Sequence, residues 1–308
     1  MKYRIKDYAD IRTMVDNMSV DELILSVLCP EIAPDKPTYY SGTPAVFFHN
    51  RDLLNENLEK MKSSKIHPLI VADMESMFVS MRACATAGDE SLAYEMGKYK
   101  AADNVKLGYH WGLGPCIDLT GNPDNPIVCL RTPGKTVEDN IKFGTQFIKG
   151  MQDYGIMATA KHFPGDGYCR YDQHITCTEN PLPFDEWMET FGKSYKAFIE
   201  AGVKAIMPGH ISLPSYDDVD PETGVCRPGT LSPKLLKELL KKELGFEGII
   251  VTDAVNMGGF CGYMNYYRAC AEALEAGCDC LLFALPHEKF MAEMHKFIDE
   301  GVLTIETL

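Results

Sequence analysis

The chain has 308 residues, 45% of them hydrophobic and 24% charged, a balance typical of soluble globular proteins that argues against a disordered or a membrane class. Forty-four acidic against 30 basic residues give a formal charge of −14, which repels phosphate backbones and anionic bilayers, so neither a nucleic-acid nor a membrane partner is expected. No apolar run approaches the ~18 residues that a spanning helix needs.

The N-terminus, Met1 to Asp7, is basic and leads into charged helical sequence over residues 7–28 without an apolar core segment. A secretory signal is therefore not expected, and the cytoplasm is the default compartment. Eleven cysteines, odd in number and irregularly spaced, fit reduced thiols better than a disulfide framework. Short apolar runs then alternate with longer amphipathic ones, the pattern of βα units. Strands are predicted at Ala45–Phe48, Pro68–Ala72, Leu113–Ile117, Ile156–Ala160, Val203–Met207, Gly248–Thr252 and Cys280–Phe283. Helices are predicted near 51–63, 89–104, 136–153, 185–201, 233–243, 264–276 and 287–300, with Ser232 as an N-cap and Pro233 at the first helical position. Cys278 and Cys280, one residue apart in an apolar run, read as buried structural cysteines.

No linker or repeat divides the chain, so residues 1–308 read as one domain. The expected fold class is α/β, a single (β/α)8 TIM-type barrel, a fold that reaches this length as one unit. Only seven strands are visible where a closed barrel needs eight, so either one is disguised or the barrel is irregular. Asp73, Asp118, Lys161 with His162, His210 and Asp253 each fall within about three residues of the carboxyl end of a different predicted strand, and in a barrel those ends share one face. An open doubly wound sheet would collect such residues only at its switch point.

The densest cluster of titratable groups is Lys161-His162-Phe163-Pro164-Gly165-Asp166-Gly167, followed by Asp172-Gln173-His174. An Asp two residues before a His can hold the imidazole and raise its basicity, which makes a general acid/base; the alternative is an Asx turn beside an exposed His. Asp253 ends an apolar strand, as a pre-positioned nucleophile would, or caps the segment that follows. Asp73 either binds hydroxyls or ends its strand. Arg131 either clamps an anionic or hydroxyl-rich ligand or pairs with nearby acids. His210 either lines the pocket or is a satisfied core histidine. His162, Asp166, Asp172 and His174 also allow a divalent-metal reading, but no H-x-x-x-H or C-x-x-C spacing supports it.

These segments resemble the β-N-acetylhexosaminidase branch of glycoside hydrolase family 3, whose signature is a KHFPG-x-G loop followed by Asp-x-His. Further stretches look like the family in the right order: Pro68 to Glu75; Gly114 to Gly134, with Asp118, Asn122-Pro123 and Arg131-Thr132-Pro133-Gly134; Ala205 to His210; and Leu231 to Gly258, with Thr252-Asp253-Ala254-Val255-Asn256-Met257. The resemblance implies a retaining, exo-acting glycosidase on terminal β-N-acetylglucosaminides. Asp253 would be the nucleophile, His174 the acid/base and Asp172 its partner; Asp73, Arg131, Lys161 and His162 would bind the sugar, with Asp118 and His210 as further substrate-side candidates. It implies a carbohydrate substrate and no cofactor or metal, and leaves the oligomeric state open. A phosphorylase or a β-glucosidase of the same family is the alternative enzyme, and a silent sugar-binding barrel the alternative of another class.

Three departures stand out. Where the family usually has Asp-x-Glu-Gly-Gly-Arg-Val, this chain has Asp73-Met74-Glu75-Ser76-Met77-Phe78-Val79, and the arginine expected two residues later is Met81. Position 166 is Asp where His is common. The sequence ends at Thr304 to Leu308, where relatives continue into another helix, so a barrel lacking its last helix is also allowed.

Overall fold

A computed structural model of the protein describes residues 8–35, 39–64, 66–75, 79–134 and 136–308. The basic stretch Met1 to Asp7 and the divergent Ser76, Met77 and Phe78 lie outside the described residues. The strand segments, in chain order, are β1 (Leu28–Cys29), β2 (Glu31–Ile32), β3 (Ala45–Phe48), β4 (Leu69–Asp73), β5 (Trp111–Leu113), β6 (Met157–Phe163), β7 (Thr178–Glu179), β8 (Ala205–Pro208), β9 (Ile211–Ser212), β10 (Ile249–Ile250) and β11 (Leu281–Leu282). Seven of them make a curled parallel sheet in the order β2-β3-β4-β5-β6-β8-β10, while β7 and β9 form a small parallel pair apart from it.

Both faces of this sheet are buried, which is why its strands are almost continuously apolar rather than alternating. Ala45 and Phe47 pack on one side with Val71, Trp111, Leu113, Ala205, Met207, Val251 and Leu282. Val46 and Phe48 pack on the other with Ile70, Ala158, Ala160, Ile206 and Ile250 against the apolar sides of the helices. A polar pair at the edge of the first cluster is satisfied, because Trp111 Nε1 donates to Thr159 Oγ1 at 2.7 Å.

Residues 28–32 are the strand that the sequence pattern disguises. Pro30 removes a backbone donor and Glu31 breaks the apolar run, so the stretch lacks a strand signature. Its carbonyls nonetheless serve both neighbours in turn. Val27 and Cys29 accept from Leu281 N and Phe283 N at 2.8 Å each; Pro30 and Ile32 accept from Phe47 N at 3.0 Å and His49 N at 3.3 Å. β1 thus pairs with β11, and Val251, just past β10, bridges in parallel to Cys280.

The predicted helices are present with ends shifted by a few residues, and the cap at Ser232 is made: its Oγ accepts from Leu235 N at 3.0 Å. Helix Val20–Ser26 begins with a capping box, Ser19 Oγ accepting from Glu22 N while Glu22 returns a bond to Ser19 N. Three elements differ from expectation. β6 runs on to Phe163, so Lys161 and His162 belong to the strand itself rather than to the loop after it. β5 lies upstream of the predicted Leu113–Ile117 because Pro115 cannot continue the ladder. Short helices at Met81–Ala87 and Gly258–Cys261 are too brief to carry an amphipathic signal. Among the described residues no helix is long and apolar enough to cross a membrane, and all eleven cysteines are free.

Helices Ser91–Lys106 and Val137–Asp153 approach closely through reciprocal glycines. A Cβ on Gly150 would sit 2.2 Å from Tyr94 O, and one on Gly97 would sit 2.3 Å from Phe147 O. Overpacking of this kind costs about 1–3 kcal/mol. Gly150→Ala is therefore expected to lower the urea midpoint without changing the m-value. A midpoint equal to that of the unmodified chain would contradict this packing.

Candidate active site

The carboxyl ends of β4, β6, β8, β10 and β11 surround a cavity of about 250 Å³. Its polar lining is Asp73, Glu75, Arg131, Lys161, His162, His174, Asp253 and Asn256; Leu113, Met207, Met257, Leu282 and Phe283 supply the apolar wall. The apolar set belongs largely to the inner cluster of the sheet, so the cavity is the open end of that core. Phe283 stands there at φ 70°, a left-handed conformation that bulky residues rarely adopt and that tends to be kept at functional sites.

A charge network forms the side of the cavity nearest β4. Glu75 accepts from Arg131 Nε at 2.8 Å and Nη2 at 2.6 Å, a two-pronged contact, and from Lys161 Nζ at 2.7 Å. Lys161 also reaches Asp73 Oδ1 at 3.2 Å. Burial by itself would raise the Glu75 pKa, yet the Lys161 and Arg131 charges outweigh it and hold the carboxyl well below the usual range. Burial by itself would likewise lower Lys161, but Glu75 and Asp73 hold its ammonium well above its ordinary value. The sequence assigned Glu75 no role; its signals were its place two residues beyond Asp73 and its match to the Glu of the family's Asp-x-Glu pattern.

Behind the cavity wall, fully buried Asp118 fixes His162. Asp118 Oδ2 accepts from His162 Nδ1 at 2.7 Å, and Oδ1 accepts from the backbone N–H groups of His162 at 3.2 Å and Asp166 at 2.8 Å. This turns His162 Nε2 toward Asp253, whose Oδ2 lies 3.7 Å away. Asp253 Oδ1 accepts from Ala254 N at 2.8 Å, so one oxygen does the capping work and the other faces the cavity. The Asp253 side chain is 13% exposed. Its burial favours the neutral acid, but His162, His210 and Lys161 together hold its pKa below the ordinary carboxylate value.

On the opposite rim, Asp172 Oδ1 accepts from His174 Nδ1 at 2.7 Å and from His174 N at 2.8 Å. His174 is 56% exposed at the cavity mouth, with Nε2 left for a ligand. Between them, fully buried Gln173 anchors the loop by accepting from His210 N at 2.8 Å. The backbone of 173–174 also lies on Gly258 and Gly259, whose N–H groups donate to His174 O at 2.7 Å and Gln173 O at 3.0 Å. Only glycine allows that approach, since a Cβ on Gly258 would sit 2.2 Å from Ile175 O.

Two of the substrate-side candidates named from the sequence, Asp118 and His210, are not among the residues that line the cavity. Asp118 is fully buried and its carboxylate is taken up by His162, Cys116 Sγ and the backbone N–H groups of His162 and Asp166. His210 is a satisfied core histidine, Nδ1 meeting Thr230 Oγ1 at 3.1 Å and Nε2 meeting Ala254 O at 3.0 Å. The set His162, Asp166, Asp172 and His174 does not converge: His162 is bound to Asp118, and Asp166 accepts from Asn125 Nδ2 and Gly167 N. Among the described residues the metal-ligating atoms that do converge are those of Cys116, Asp118 and His162, already hydrogen-bonded to one another. Next to the divergent Met81, Arg82 donates to Thr120 Oγ1 at 2.9 Å and to the carbonyls of Cys129 and Thr132.

Comparison with known proteins gives a consistent picture. Residues 69–308 match the model for the glycosyl hydrolase family 3 N terminal domain. A "Beta-N-acetylglucosaminidase/beta-glucosidase" of Cellulomonas fimi is 37% identical over 206 residues, 66% of this chain and 36% of that protein. A "Beta-hexosaminidase" of Pasteurella multocida (strain Pm70) is 28% identical over 260 residues, 78% of this chain and 71% of that one. Among solved structures, "Beta-glucoside phosphorylase BglX" superposes with a TM-score of 0.90 at 29% identity, covering 97% of this chain and 57% of its own. A glycoside hydrolase family 3 beta-N-acetylglucosaminidase from Paenibacillus sp. str. FPU-7 superposes with a TM-score of 0.81 at 25% identity, covering 94% and 60%. The chain spans just over a third of the Cellulomonas relative and just under three fifths of the phosphorylase. With the family match running through β4, β6, β8, β10 and β11, whose ends build the cavity, the chain belongs to glycosyl hydrolase family 3 by its N-terminal domain.

Proposed function

We propose that residues 1–308 form one catalytic domain of a cytoplasmic, retaining, exo-acting β-N-acetylglucosaminidase. The observation that carries this reading is Asp253, fixed at a strand end through Ala254 N, in the same cavity as a histidine whose Nδ1 is held by Asp172. We also propose that the sheet is a closed (β/α)8 barrel. Supporting it are the pairing of residues 28–32 with both β3 and β11 and the parallel bridge from Val251 to Cys280.

In the proposed reaction Asp253 Oδ2 attacks the anomeric carbon as the bond to the aglycone oxygen breaks. His174 Nε2 gives that oxygen a proton, and Asp172 stabilises the imidazolium before and the tautomer after. His174 Nε2 then takes a proton from water, which attacks the anomeric carbon and releases Asp253 as a carboxylate. Lys161, Arg131 and Asp73 are assigned to the sugar hydroxyls, with Glu75 orienting both cations. Sugars of this kind are neutral, which suits a site whose cations are already paired.

A second reading, phosphorolysis, is favoured by the acid/base itself. A histidine acting as base is neutral, so it presents no negative charge to incoming phosphate, whereas a second carboxylate would repel it. The likeness to a beta-glucoside phosphorylase at a TM-score of 0.90 supports the same reading. Release of nitrophenol from 4-nitrophenyl N-acetyl-β-glucosaminide, with and without phosphate, tests both. Turnover that vanishes in Asp253→Ala is expected, and sugar 1-phosphate formed on adding phosphate would select phosphorolysis; undiminished turnover in the variant would overturn the proposal.

His174→Ala should lower kcat/KM for alkyl glycosides by about 10²- to 10⁴-fold, the range for loss of a general acid. Nitrophenyl glycosides, whose leaving group needs little protonation, should lose far less on the same parameter. Equal losses would remove His174 as the acid.

Glu75→Gln leaves two cations without their shared carboxylate, and removing one partner of a buried pair costs roughly 3–5 kcal/mol. With the Glu75 side chain 20% exposed, the lower end of that range is expected. Because the folded-state pKa is depressed, the wild-type advantage is complete above the unfolded value of about 4.3 and is lost as pH falls through the folded one. Urea melts should show the gap intact at pH 5 to 7 and narrowing below about pH 4. A gap that widens on acidification would contradict the network.

A further inference from the structure

Outside the catalytic cavity the molecule carries a larger one, about 700 Å³ in volume. It lies behind the segment that holds Asp172 and His174: Tyr171, Ile175 and Thr176 form one wall, while His174, between them in sequence, faces the catalytic side. The two cavities are separated by backbone, through the bonds from Gly258 N to His174 O and Gly259 N to Gln173 O. Its base is a strand pair, Thr178–Glu179 lying parallel to Ile211–Ser212. The strap opposite is also tied down: Arg227 binds Asp220 Oδ2 at 2.8 Å and Glu272 Oε2 at 2.7 Å, and Thr223 Oγ1 meets Tyr263 OH at 3.0 Å.

The lining sets the chemistry of an occupant. Tyr171 and Tyr263 present amphipathic rings, and Ile175 and Val225 present apolar patches. Tyr171, Ile175 and Val225 are 60%, 76% and 53% exposed, a run of large apolar surface that neither the core nor the catalytic cavity uses. Hydroxyls come from Thr176, Thr223 and Ser212. Among the described residues that line it the sole charge is Glu179, with no Lys, Arg or His, so an anion is disfavoured. Apolar and aromatic walls with a few hydroxyls suit a small neutral polyol better than a lipid tail or a phosphate ester, and the volume lies within the ~300–1,000 Å³ usual for ligand sites.

We propose that this cavity binds a neutral saccharide of one or two sugar units, and that its occupancy sets the position of the Asp172–His174 loop. The coupling is geometric: Ile175 N and Thr176 N both donate to Asp172 O, at 3.0 and 3.1 Å. Pressure on the side chains of Ile175 and Thr176 is therefore passed to the dyad by two backbone bonds. The site is distinct from the sugar-binding end of the catalytic cavity, and only its kinetic readout rests on the proposed role of His174.

Cellobiose is the probe, with cellobionate, its ring-opened acid, as the anionic comparison. Val225→Trp fills the cavity from an exposed position whose backbone bonds it leaves intact. Calorimetric titration is expected to show one equivalent of cellobiose fewer in Val225→Trp than in the unmodified chain, and no such difference with cellobionate. Val225→Arg, which adds a cation to the lining, should gain affinity for cellobionate. Equal cellobiose stoichiometry in the unmodified chain and Val225→Trp would overturn the site. For the coupling, saturating cellobiose should change kcat on an alkyl glycoside several-fold in the unmodified chain and not in Val225→Trp; competition in the catalytic cavity would raise KM alone. An unchanged kcat beside the lost equivalent would keep the site and overturn the coupling. Asp253→Ala tests the glycosidase reading separately, because it leaves this cavity untouched.

Discussion

A parallel sheet buried on both faces has nowhere along its length to put charge. Burying an unpaired ionised side chain costs several kcal/mol even after relaxation, so the charged groups of such a sheet collect where the strands end. In this chain that single constraint organises the site. The strands carry residues such as Val46, Val71, Ala158 and Ile206, and the charged residues Asp73, Lys161 and Asp253 come at or near the carboxyl ends, around one rim. The cavity is what remains when the inner core stops and its last layer is polar.

The groups at that rim must then be balanced against one another. Lys161 is 5% exposed, and burial acting alone would lower its pKa; Glu75 and Asp73 hold it up instead. Glu75 serves two cations at once, which neutralises them for the fold and leaves their donors aimed in fixed directions. Asp253 is held as a carboxylate by neighbours it does not pair with closely, the nearest His162 nitrogen being 3.7 Å away. Asp172 and His174 follow a different scheme. They pair closely, but at the exposed mouth, on a loop anchored by Gln173 and by the glycine pair 258–259 rather than by burial.

Much of this was legible in the sequence, for reasons that also explain what was not. Apolar runs and helix caps are local, so the strands expected at 45–48, 68–72 and 203–207, found at 45–48, 69–73 and 205–208, and the cap at Ser232 could be read directly. The Asp172–His174 bond spans two residues and was legible for the same reason. Residues 28–32 were hidden because Pro30 and Glu31 erase the strand pattern, and only hydrogen bonding to distant segments makes the stretch a strand. Glu75 was quoted in a motif without a role, since its function depends on Lys161, 86 positions away, and Arg131, 56 positions away. His210 does follow the end of β8, whereas Asp118 lies five residues past the end of β5, and neither side chain lines the cavity. A strand changes face at every residue, so proximity to its end does not say which way a side chain points.

The central claim is that Asp253 becomes bonded to sugar during turnover. A 2-deoxy-2-fluoro-β-glucosyl fluoride slows both steps but has a leaving group good enough to let the first proceed, so the covalent species accumulates. Peptide mass spectrometry after proteolysis should find the fluoroglucosyl mass on the segment containing Asp253, absent from an Asp253→Ala control. A label on another carboxylate, or full inactivation with no labelled peptide, would contradict the account.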